Sequence, residues 1–384
     1  MKITKLETFH VAPRWLFLKI STDEGICGWG EPVLEGHART VEAAVHELDH
    51  ILIGADPRNI EHLWQQMYRG AFYRGGPVQM SAISGVEQAL WDIKGKYYHM
   101  PVYEMLGGKC RDRVRMYGHL KPTGHAGDFP IPDMLNIARK RLADGFTVVK
   151  YSVIPPVLPL DNWTAIDSLV ERFAAVRETV GRNVDIAVDF HGRVSPAMAK
   201  QIIKELEPYH PYFVEEPCVP YNTDMLIDIA RSTTVPIATG ERLVTRWEYR
   251  DLLESRAIAI FQPDICHVGG IFEARKIAAM AEMNFATVAP HNPLGPISLA
   301  ACLQLDACIP NCLVQEHPGM PDERDLGVGI LKNPFRIESD GTILIPTGEG
   351  LGVEVDEEAL KDVAGDGSWH TPMLFLPDGS LGDW

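Results

Sequence analysis

Val188-Asp189-Phe190-His191-Gly192 is the first of several short apolar runs between residues 184 and 316 that end in an acidic residue or a histidine. The later runs carry Glu215, Glu241, Asp264, His291 and Glu316. From Asp189 onward, successive residues of this series lie 26, 26, 23, 27 and 25 positions apart. One strand, one helix and two short loops use about that length of chain, since a βαβ unit takes roughly 30 residues. A polar residue at the C-terminal end of each strand is the arrangement of a (β/α)8-barrel active site.

From residue 113 the chain alternates between short apolar runs and helical patterns. No glycine-rich nucleotide-binding motif follows any of these runs, which argues against an open dinucleotide-binding sheet. The predicted strands cover 113–118, 147–152, 184–189, 212–215, 236–239, 257–262, 286–289 and 313–315. We therefore predict an α/β barrel, a modified (β/α)7β TIM barrel with the catalytic residues, over residues 113–325.

Residues 1–112 are predicted to form an α+β capping domain. Strand-like alternation up to residue 35 contains the hairpin turn Thr22-Asp23-Glu24-Gly25. Helical patterns follow at 40–67 and 81–96. After residue 325 the alternation stops, and we predict that the segment 326–384 packs back on the capping domain and completes it.

The composition indicates a globular protein with an acidic surface. Of the 384 residues, 46% are hydrophobic and 23% are charged, and the formal net charge is −16. Such a charge argues against a nucleic-acid partner, and it means that an anionic substrate needs a local cationic site. The first strand has no apolar signal core and no later run is long enough to span a membrane. Seven scattered cysteines predict reduced thiols and a cytoplasmic location.

Asp189, Glu215 and Glu241 follow three consecutive predicted strands. Neighbouring strands lie roughly 5 Å apart, so the three carboxylates can converge on one point. There they would repel one another unless a cation joined them, and oxygen ligands without thiolates favour Mg²⁺ over zinc. The alternative is three separate structural carboxylates with their own ion pairs. Their position in register on three strands favours the metal, and we predict one Mg²⁺ per subunit.

The predicted acid and base are histidines. Asp264 and His291 follow neighbouring strands, and a carboxylate beside an imidazole fixes its tautomer and raises its basicity, so this pair is predicted to be the general base. His191 lies two residues beyond Asp189 and points the same way if the segment is extended, so it is predicted to be a separate acid. Lys150 ends the second barrel strand and would neutralise the negative charge left on a Mg²⁺ with three carboxylates. The other histidines, including His119 and His267, are predicted to be structural or are left unassigned.

These parts together predict a β-elimination. A proton α to a carboxylate is a weak acid because its removal gives a doubly charged enediolate. A divalent metal at that carboxylate stabilises the new charge, most effectively in surroundings of low dielectric constant. One histidine then removes the proton, and a second acid expels a β-hydroxyl group as water.

Four loops border the predicted site and are expected to select the substrate: 14–30, 68–77, 119–130 and 153–162. The second reads Tyr68-Arg69-Gly70-Ala71-Phe72-Tyr73-Arg74-Gly75-Gly76-Pro77. It is either an ordinary connection or a mobile lid whose arginines meet an anionic substrate, and the net charge favours the lid. The predicted substrate-binding residues are Arg14, Trp15, Tyr73, Arg74, Lys150, His191, Glu241, His291 and Glu316.

The motif Ala89-Leu90-Trp91-Asp92-Ile93-Lys94-Gly95-Lys96 and the run from Asp189-Phe190-His191 to Glu215-Glu216-Pro217 resemble the mandelate racemase subgroup of the enolase superfamily. The resemblance extends over essentially the whole chain, and this superfamily uses a Lys or His base with Mg²⁺. It implies that His291 removes the C2 proton, that His191 protonates the leaving 3-hydroxyl group and that Glu316 stabilises the enediolate. It also implies a homo-oligomer, either a dimer or an octamer.

Further segments, 24–32, 72–77, 189–193 and 289–296, resemble the sugar-acid dehydratases of this subgroup and imply D-galactonate as the substrate and a 2-keto-3-deoxy sugar acid as the product. Many subgroup members carry Lys-x-Lys on the second barrel strand, where this chain has Lys150-Tyr151-Ser152. The missing second lysine disfavours a two-base racemase. Segments 119–125 and 154–159 depart from the expected pattern and leave other aldonic acids open, gluconate or a pentonate. A racemase or cycloisomerase, and a non-catalytic sugar-acid-binding barrel, are the remaining alternatives.

Overall fold

The computed structural model describes residues 1–120, 129–152, 154–317 and 324–384. The N-terminal part forms the capping domain, in which an antiparallel sheet of order β1-β2-β3 packs against helices. Its strands are β1 (Ile3–Val11), β2 (Trp15–Thr22) and β3 (Cys27–Gly30). Its helices are α1 (Ala38–Glu47), α2 (Asp49–Leu52), α3 (Ile60–Arg69), α4 (Pro77–Tyr98) and α5 (Val102–Met105).

Helix α4 is the centre of the capping domain, and it lies backbone to backbone against β3. A Cβ atom on Gly28 would overlap the carbonyl oxygen of Ala89, and one on Gly30 would overlap that of Gly85. Glycine at both positions therefore allows the helix to approach the strand closely. This approach buries α4 along most of its length, and it explains why its sequence is apolar on more than one face.

Eight parallel strands of the described chain close into a barrel, which confirms the predicted (β/α)7β fold. Strands β4 to β10 pair in sequence order, and β11 pairs with β4. Closure occurs at Val288, which forms a parallel bridge to Cys312. The barrel strands are β4 (Arg113–His119), β5 (Val148–Tyr151), β6 (Asp185–Asp189), β7 (Phe213–Glu215), β8 (Ile237–Thr239), β9 (Ile260–Phe261), β10 (Thr287–Val288) and β11 (Gln315–Glu316).

The barrel interior is filled by side chains and is not a pore. One buried cluster draws a residue from each strand or its immediate flank. Small and large side chains alternate around it, so that the layer fills the cross-section without a channel. Its members are Tyr117, Val148, Ala187, Phe213, Ala238, Ile260, Ala289 and Val314.

Helices connect the barrel strands on the outside. Three of them begin at a residue whose side chain accepts a hydrogen bond from a free backbone amide of the first turn, namely Asn162, Ser195 and Asn222. The helices in the described residues are α6 (Ile131–Ala143), α7 (Trp163–Val180), α8 (Pro196–Leu206), α9 (Thr223–Arg231), α10 (Arg250–Ser255), α11 (Ile271–Glu282) and α12 (Pro296–Cys308).

Two buried glutamates of the capping domain hold the last two barrel helices. Glu31 accepts hydrogen bonds from the amides of Gly295 and Ser298 at 2.7 and 2.8 Å, where α12 begins. Glu87 accepts from the first amides of α11 at 2.8 and 2.9 Å. The first amides of a helix lack partners within the helix and carry positive partial charge, which suits a carboxylate. Burial raises the pKa of both carboxyl groups to about 8, although these hydrogen bonds lower it.

The remaining chain packs along the barrel and then against the capping domain. Strand β14 pairs antiparallel with β4. Val11 of β1 forms an antiparallel bridge to Ala364, and the amide of Ala12 donates to Val363 O at 2.8 Å. The strands of this part are β12 (Asp325–Leu326), β13 (Phe335–Arg336), β14 (Thr342–Leu344), β15 (Leu374–Phe375) and β16 (Leu381–Gly382).

Two further features concern the hydrophobicity of the helices and the state of the cysteines. Across the described ranges, none of the helices is both long and apolar enough to cross a membrane. All seven cysteines lie in these ranges and are free thiols.

Candidate active site

The predicted carboxylates lie together at the C-terminal ends of adjacent strands. Asp189 ends β6 and stands opposite Glu215, which ends β7, because the parallel pairing puts the two residues in register. Glu241 follows β8 after Gly240. The side chains of Asp189, Glu215 and Glu241 are only 4%, 0% and 8% exposed. Three acidic groups so deeply buried need positive charge nearby.

Lys150 supplies one such charge from the end of β5. Its ammonium group lies 2.6 Å from Glu215 Oε1, 3.0 Å from Glu316 Oε1 and 3.3 Å from Asp189 Oδ2. Burial alone would lower the pKa of Lys150, but these carboxylates raise it well above its ordinary value. The carboxylates therefore favour the charged form of Lys150, and the electrostatic role predicted for it stays a prediction.

Two oxygens of the acidic cluster accept no hydrogen bond from the described residues. Glu215 Oε2 and Glu241 Oε2 are buried and have no hydrogen-bond partner among the residues that the structure describes. Burial raises the pKa of Glu215 well above its ordinary value, as do Asp189 and Glu316, although Lys150 lowers it. No three His, Cys, Asp or Glu side chains of the described ranges are gathered closely enough to form a metal site by themselves. The oxygens that accept no hydrogen bond are nevertheless hard donors of the kind that Mg²⁺ takes, so the residues fit that cation.

The predicted base pair is formed across two neighbouring strands. His291 Nδ1 lies 2.7 Å from Asp264 Oδ2, and His291 Nε2 lies 3.5 Å from Glu241 Oε2. Burial would lower the pKa of His291, but Glu241, Glu316 and Asp264 raise it well above its ordinary value. Asp264 therefore engages one ring nitrogen and leaves Nε2 facing the acidic cluster.

A second histidine lies behind this pair, at a position that no sequence pattern predicted. His267 Nε2 lies 3.7 Å from Asp264 Oδ2 and 3.5 Å from Glu35 Oε2, and its Nδ1 is 2.9 Å from Ser81 Oγ. Burial would lower the pKa of His267, but Asp264 and Glu35 raise it. Ser81 and Glu35 belong to the capping domain, so that domain helps to hold the base pair in place.

Glu316, which pairs with Lys150, is held in place at both of its carboxylate oxygens. Its Oε2 accepts from the amide of Asn292 at 2.7 Å, and its Oε1 lies 3.1 Å from His119 Nε2. Burial would raise the pKa of Glu316, but Lys150 and His291 hold it well below its ordinary value. An ionised Glu316 only accepts hydrogen bonds, and its action on the enediolate stays a prediction. His119 ends the first barrel strand, and the strand-end rule applied to the other residues could have found it.

His191 occupies a turn. Its φ angle is +55°, in the left-handed region, so the extended geometry assumed for it from the sequence is wrong. Its amide donates to Asp189 Oδ1 at 2.7 Å, and its carbonyl oxygen accepts from Arg242 Nη2 at 2.7 Å. Arg242 also lies 3.5 Å from Glu216 Oε2 and 3.8 Å from Glu241 Oε1. The acid candidate is thus tied to the acidic cluster through its backbone.

The predicted substrate-binding residues of the capping domain differ in their positions. Arg14 reaches the barrel, where its Nη2 donates to Pro293 O at 3.0 Å. Trp15 is 3% exposed and lies in the hydrophobic core at the start of β2, where four successive residues are buried, so its contact with a substrate stays a prediction. Tyr73 is 86% exposed and Arg74 is exposed beside it, outside the group of site residues, and closure of this lid stays a prediction. Of the loops 119–130 and 153–162, residues 121–128 and 153 lie outside the described residues.

The fold and the site define a barrel enzyme that performs acid–base chemistry beside a carboxylate cluster. The chain belongs to the mandelate racemase / muconate lactonizing enzyme family of the enolase superfamily. The N-terminal domain of that family matches residues 4–107, and the enolase C-terminal domain-like family matches residues 133–359.

Relatives and solved structures agree with this assignment along the whole chain. The D-galactonate dehydratases of Variovorax paradoxus and Verminephrobacter eiseniae are 47% and 48% identical to it, with full coverage of both chains in each comparison. A mandelate racemase/muconate lactonizing enzyme from Sulfitobacter sp. superposes with a TM-score of 0.90 at 35% identity, covering 98% of this chain and 99% of that one. Another from Jannaschia sp. CCS1 gives 0.87 at 32% identity, covering 96% and 98%.

Proposed function

We propose that this chain is a Mg²⁺-dependent sugar-acid dehydratase that converts D-galactonate to 2-dehydro-3-deoxy-D-galactonate and water. The observation that carries the proposal is the Asp264–His291 pair, joined at 2.7 Å and facing the carboxylate cluster. His191, two residues beyond the end of β6, offers a second imidazole on a strand that is not adjacent to β10, which His291 follows. The full-length similarity to D-galactonate dehydratases supports the substrate.

Asp189, Glu215 and Glu241 are the residues that would hold one Mg²⁺ per subunit. When bound, the cation supplies positive charge that lowers the free energy of the enediolate. Lys150 contributes a second, permanent positive charge 3.0 Å from Glu316 and 2.6 Å from Glu215. Together these charges offset those of the three carboxylates, so the centre of the site repels an anionic substrate less than the net charge of −16 would.

His291 takes the proton from C2 of the sugar acid. Its Nδ1 is engaged by Asp264, so Nε2 is the atom that accepts the proton. The electron pair of the broken C2–H bond moves into the carboxylate group and gives the enediolate. Asp264 stabilises the imidazolium ion that results, in a part of the site where burial strengthens every charge interaction.

His191 completes the elimination. The electron pair of the enediolate forms the C2–C3 double bond, the C3–O bond breaks, and the imidazolium of His191 gives its proton to the leaving oxygen, which departs as water. The enol that remains takes up a proton at C3, releases the proton of its 2-hydroxyl group and becomes the 2-keto-3-deoxy acid. No oxidant or reductant takes part.

A racemase or cycloisomerase of the same family is the second candidate, because it would use the same base. Lys150-Tyr151-Ser152 argues against it, since Tyr151 and Ser152 provide no second lysine opposite His291. The remaining alternative, a barrel that binds a sugar acid without chemistry, requires the two imidazoles to have no catalytic role.

A panel of C5 and C6 aldonic acids, incubated with the protein and Mg²⁺, tests the proposal. We expect a keto-deoxy acid from D-galactonate, with a lower kcat/KM for gluconate and for pentonates. Deuterium at C2 without loss of water would indicate the racemase instead. If no acid of the panel turns over, the dehydratase assignment is wrong. Light scattering on the same sample measures whether the chain forms the homo-oligomer, dimer or octamer, that the family resemblance implies.

A further inference from the structure

Residues 362–384, which we call the strap, extend from the capping domain to the mouth of the barrel. The strap begins beside β1, where Gly365 N donates to His10 O at 2.9 Å. Arg39 Nε donates to Asp366 O at 2.8 Å in the same region. The strap then forms the β15–β16 hairpin, in which Leu374 pairs with Gly382, and continues to Trp384. It is therefore fixed to one domain and ends against the other.

The far end of the strap contacts the acid candidate directly. The ring of Trp384 packs edge to face on the ring of His191, with 5.1 Å between centroids and planes at 82°. The carbonyl oxygen of Trp384 accepts from Arg242 Nη2 at 3.4 Å, and the same nitrogen donates to His191 O at 2.7 Å. One guanidinium thus joins the backbones of Trp384 and His191 while their rings are in contact.

A second tryptophan extends this contact toward the base. The ring of Trp369 lies 6.0 Å from that of Trp384, and Arg14 Cζ lies 5.1 Å from the centroid of Trp369. Arg14 in turn donates to the carbonyl oxygen of Pro293, two residues beyond His291. A line of aromatic and cationic contacts therefore crosses the mouth of the barrel from the acid side to the base side.

His191 needs support from outside its own segment. A left-handed backbone conformation costs a non-glycine residue free energy and persists only when the surroundings fix it. The backbone contacts from Asp189 and Arg242 fix the main chain of His191. The ring of Trp384 packs against the ring of His191 and restricts its rotation about χ1. A proton donor that is displaced by about 1 Å can lose a large part of its effect on rate.

We propose that Trp384 is a positioning residue that holds the imidazole of His191 in line with the leaving hydroxyl group. This inference rests on the proposed dehydratase function, in which His191 is the acid. A role of this kind affects only one of the two halves of the reaction, proton removal at C2 and loss of the 3-hydroxyl group. Loss of Trp384 impairs the breaking of the C3–O bond, whereas proton removal at C2 by His291 continues.

The test compares Trp384→Ala and Trp384→Phe in the Mg²⁺-loaded protein, with D-galactonate in D₂O. We expect Trp384→Ala to lower kcat for dehydration about 10-fold or more, since a general acid contributes roughly 10²–10⁴-fold in rate. The recovered substrate should carry more C2 deuterium per turnover than with the wild-type protein. Trp384→Phe, which keeps an aromatic ring, should restore most of the rate. Met373→Ala is the control, because Met373 lies in the strap and is 73% exposed.

Equal losses of dehydration and C2 exchange in Trp384→Ala would overturn the proposal, because they would indicate a general structural role. An unchanged rate of dehydration would overturn it as well.

A second measurement does not depend on turnover. In protein labelled with [¹³C-ε1]histidine, the His191 resonance, identified by its loss in His191→Asn, should shift in both Trp384 variants and stay unchanged in Met373→Ala. If the wild-type protein dehydrates no sugar acid, the proposed function fails, and this shift still decides whether Trp384 sets the environment of His191. An unmoved His191 resonance would overturn the positioning role.

Discussion

His291 Nδ1 and Asp264 Oδ2 lie 2.7 Å apart, and the two residues also form a parallel backbone bridge at the ends of neighbouring barrel strands. The backbone bridge sets the separation of the two side chains, so their contact does not depend on a flexible loop. Asp264 also accepts, through Oδ1, from the amide of Cys266 at 2.7 Å. A carboxylate held at both oxygens can fix the tautomer of the imidazole. The base is therefore preorganised by the barrel itself.

Replacing His291 by Asn should remove the base and leave the carboxylate cluster in place. We expect kcat for dehydration to fall by roughly 10²–10⁴-fold, the usual contribution of a general base. Exchange of the C2 proton with solvent deuterium should be lost too, whereas Mg²⁺ affinity should stay close to that of the wild type. Isothermal titration with Mg²⁺ and deuterium incorporation measured by NMR check both points. C2 exchange at the wild-type rate would show that another residue is the base.

Removal of Glu215 tests the metal assignment. Glu215→Gln keeps the volume of the side chain but removes its charge. Mutating a residue that only orients a metal ligand lowers metal affinity by roughly 10–100-fold, so the loss of the ligand Glu215 should lower Mg²⁺ affinity at least as much. Mg²⁺ should raise the Tm of the wild-type protein and have little effect on that of the variant, since a ligand stabilises only the state that binds it. Glu254→Gln, an exposed change on α10, is the control. Equal Mg²⁺ affinity in Glu215→Gln and the wild type would contradict the assignment.

Lys150 should be more important for stability than a surface lysine. Its ammonium group contacts three buried carboxylates, so Lys150→Met leaves these carboxylates without the positive charge that they share. Breaking a buried ion pair by removing one partner costs about 3–5 kcal/mol, and we expect a fall of that order in the free energy of unfolding. Mg²⁺ should recover part of it. Lys200→Met is the matched control, since Lys200 pairs with the exposed Asp228. Urea unfolding with and without Mg²⁺ measures both variants, and similar losses would contradict the role given to Lys150.

The barrel and the reacting groups could be predicted because they follow one rule. Each strand ends in a polar residue after an apolar run, and the interval between strands is nearly constant, so one sequence pattern locates Asp189, Glu215, Glu241 and His291. The register of β6 and β7 then brings the first two side chains together, as strand geometry requires.

The contacts that surround these groups could not be predicted in this way. His267 meets Ser81 and Glu35 across 186 and more positions of sequence, and Trp384 meets His191 across a similar distance. Such contacts depend on how the domains dock, and no local periodicity records them. The turn at His191 was missed for a related reason, because a single histidine at φ +55° has no signal of its own in a strand-like run.

Asp306 should make the stability of the protein depend on pH. It is buried near the C-terminal end of α12, and burial raises its pKa from 3.8 to about 7. The folded state then binds a proton that the unfolded state has lost, so the free energy of unfolding falls as pH rises from about 4 to about 7. The negative end of the helix dipole acts in the same direction.

Asp306→Asn isolates this contribution, because Asn cannot ionise. Between pH 5 and pH 8 the wild type should lose about 2–3 kcal/mol relative to the variant, since one pKa unit corresponds to about 1.4 kcal/mol. Glu31 and Glu87, whose pKa values are also raised, contribute a slope of the same sign to both proteins and cancel in the difference. Urea unfolding at the two pH values measures the effect. If the free energies of unfolding of the wild type and Asp306→Asn differ by the same amount at pH 5 and pH 8, Asp306 is already ionised in the folded protein at pH 5.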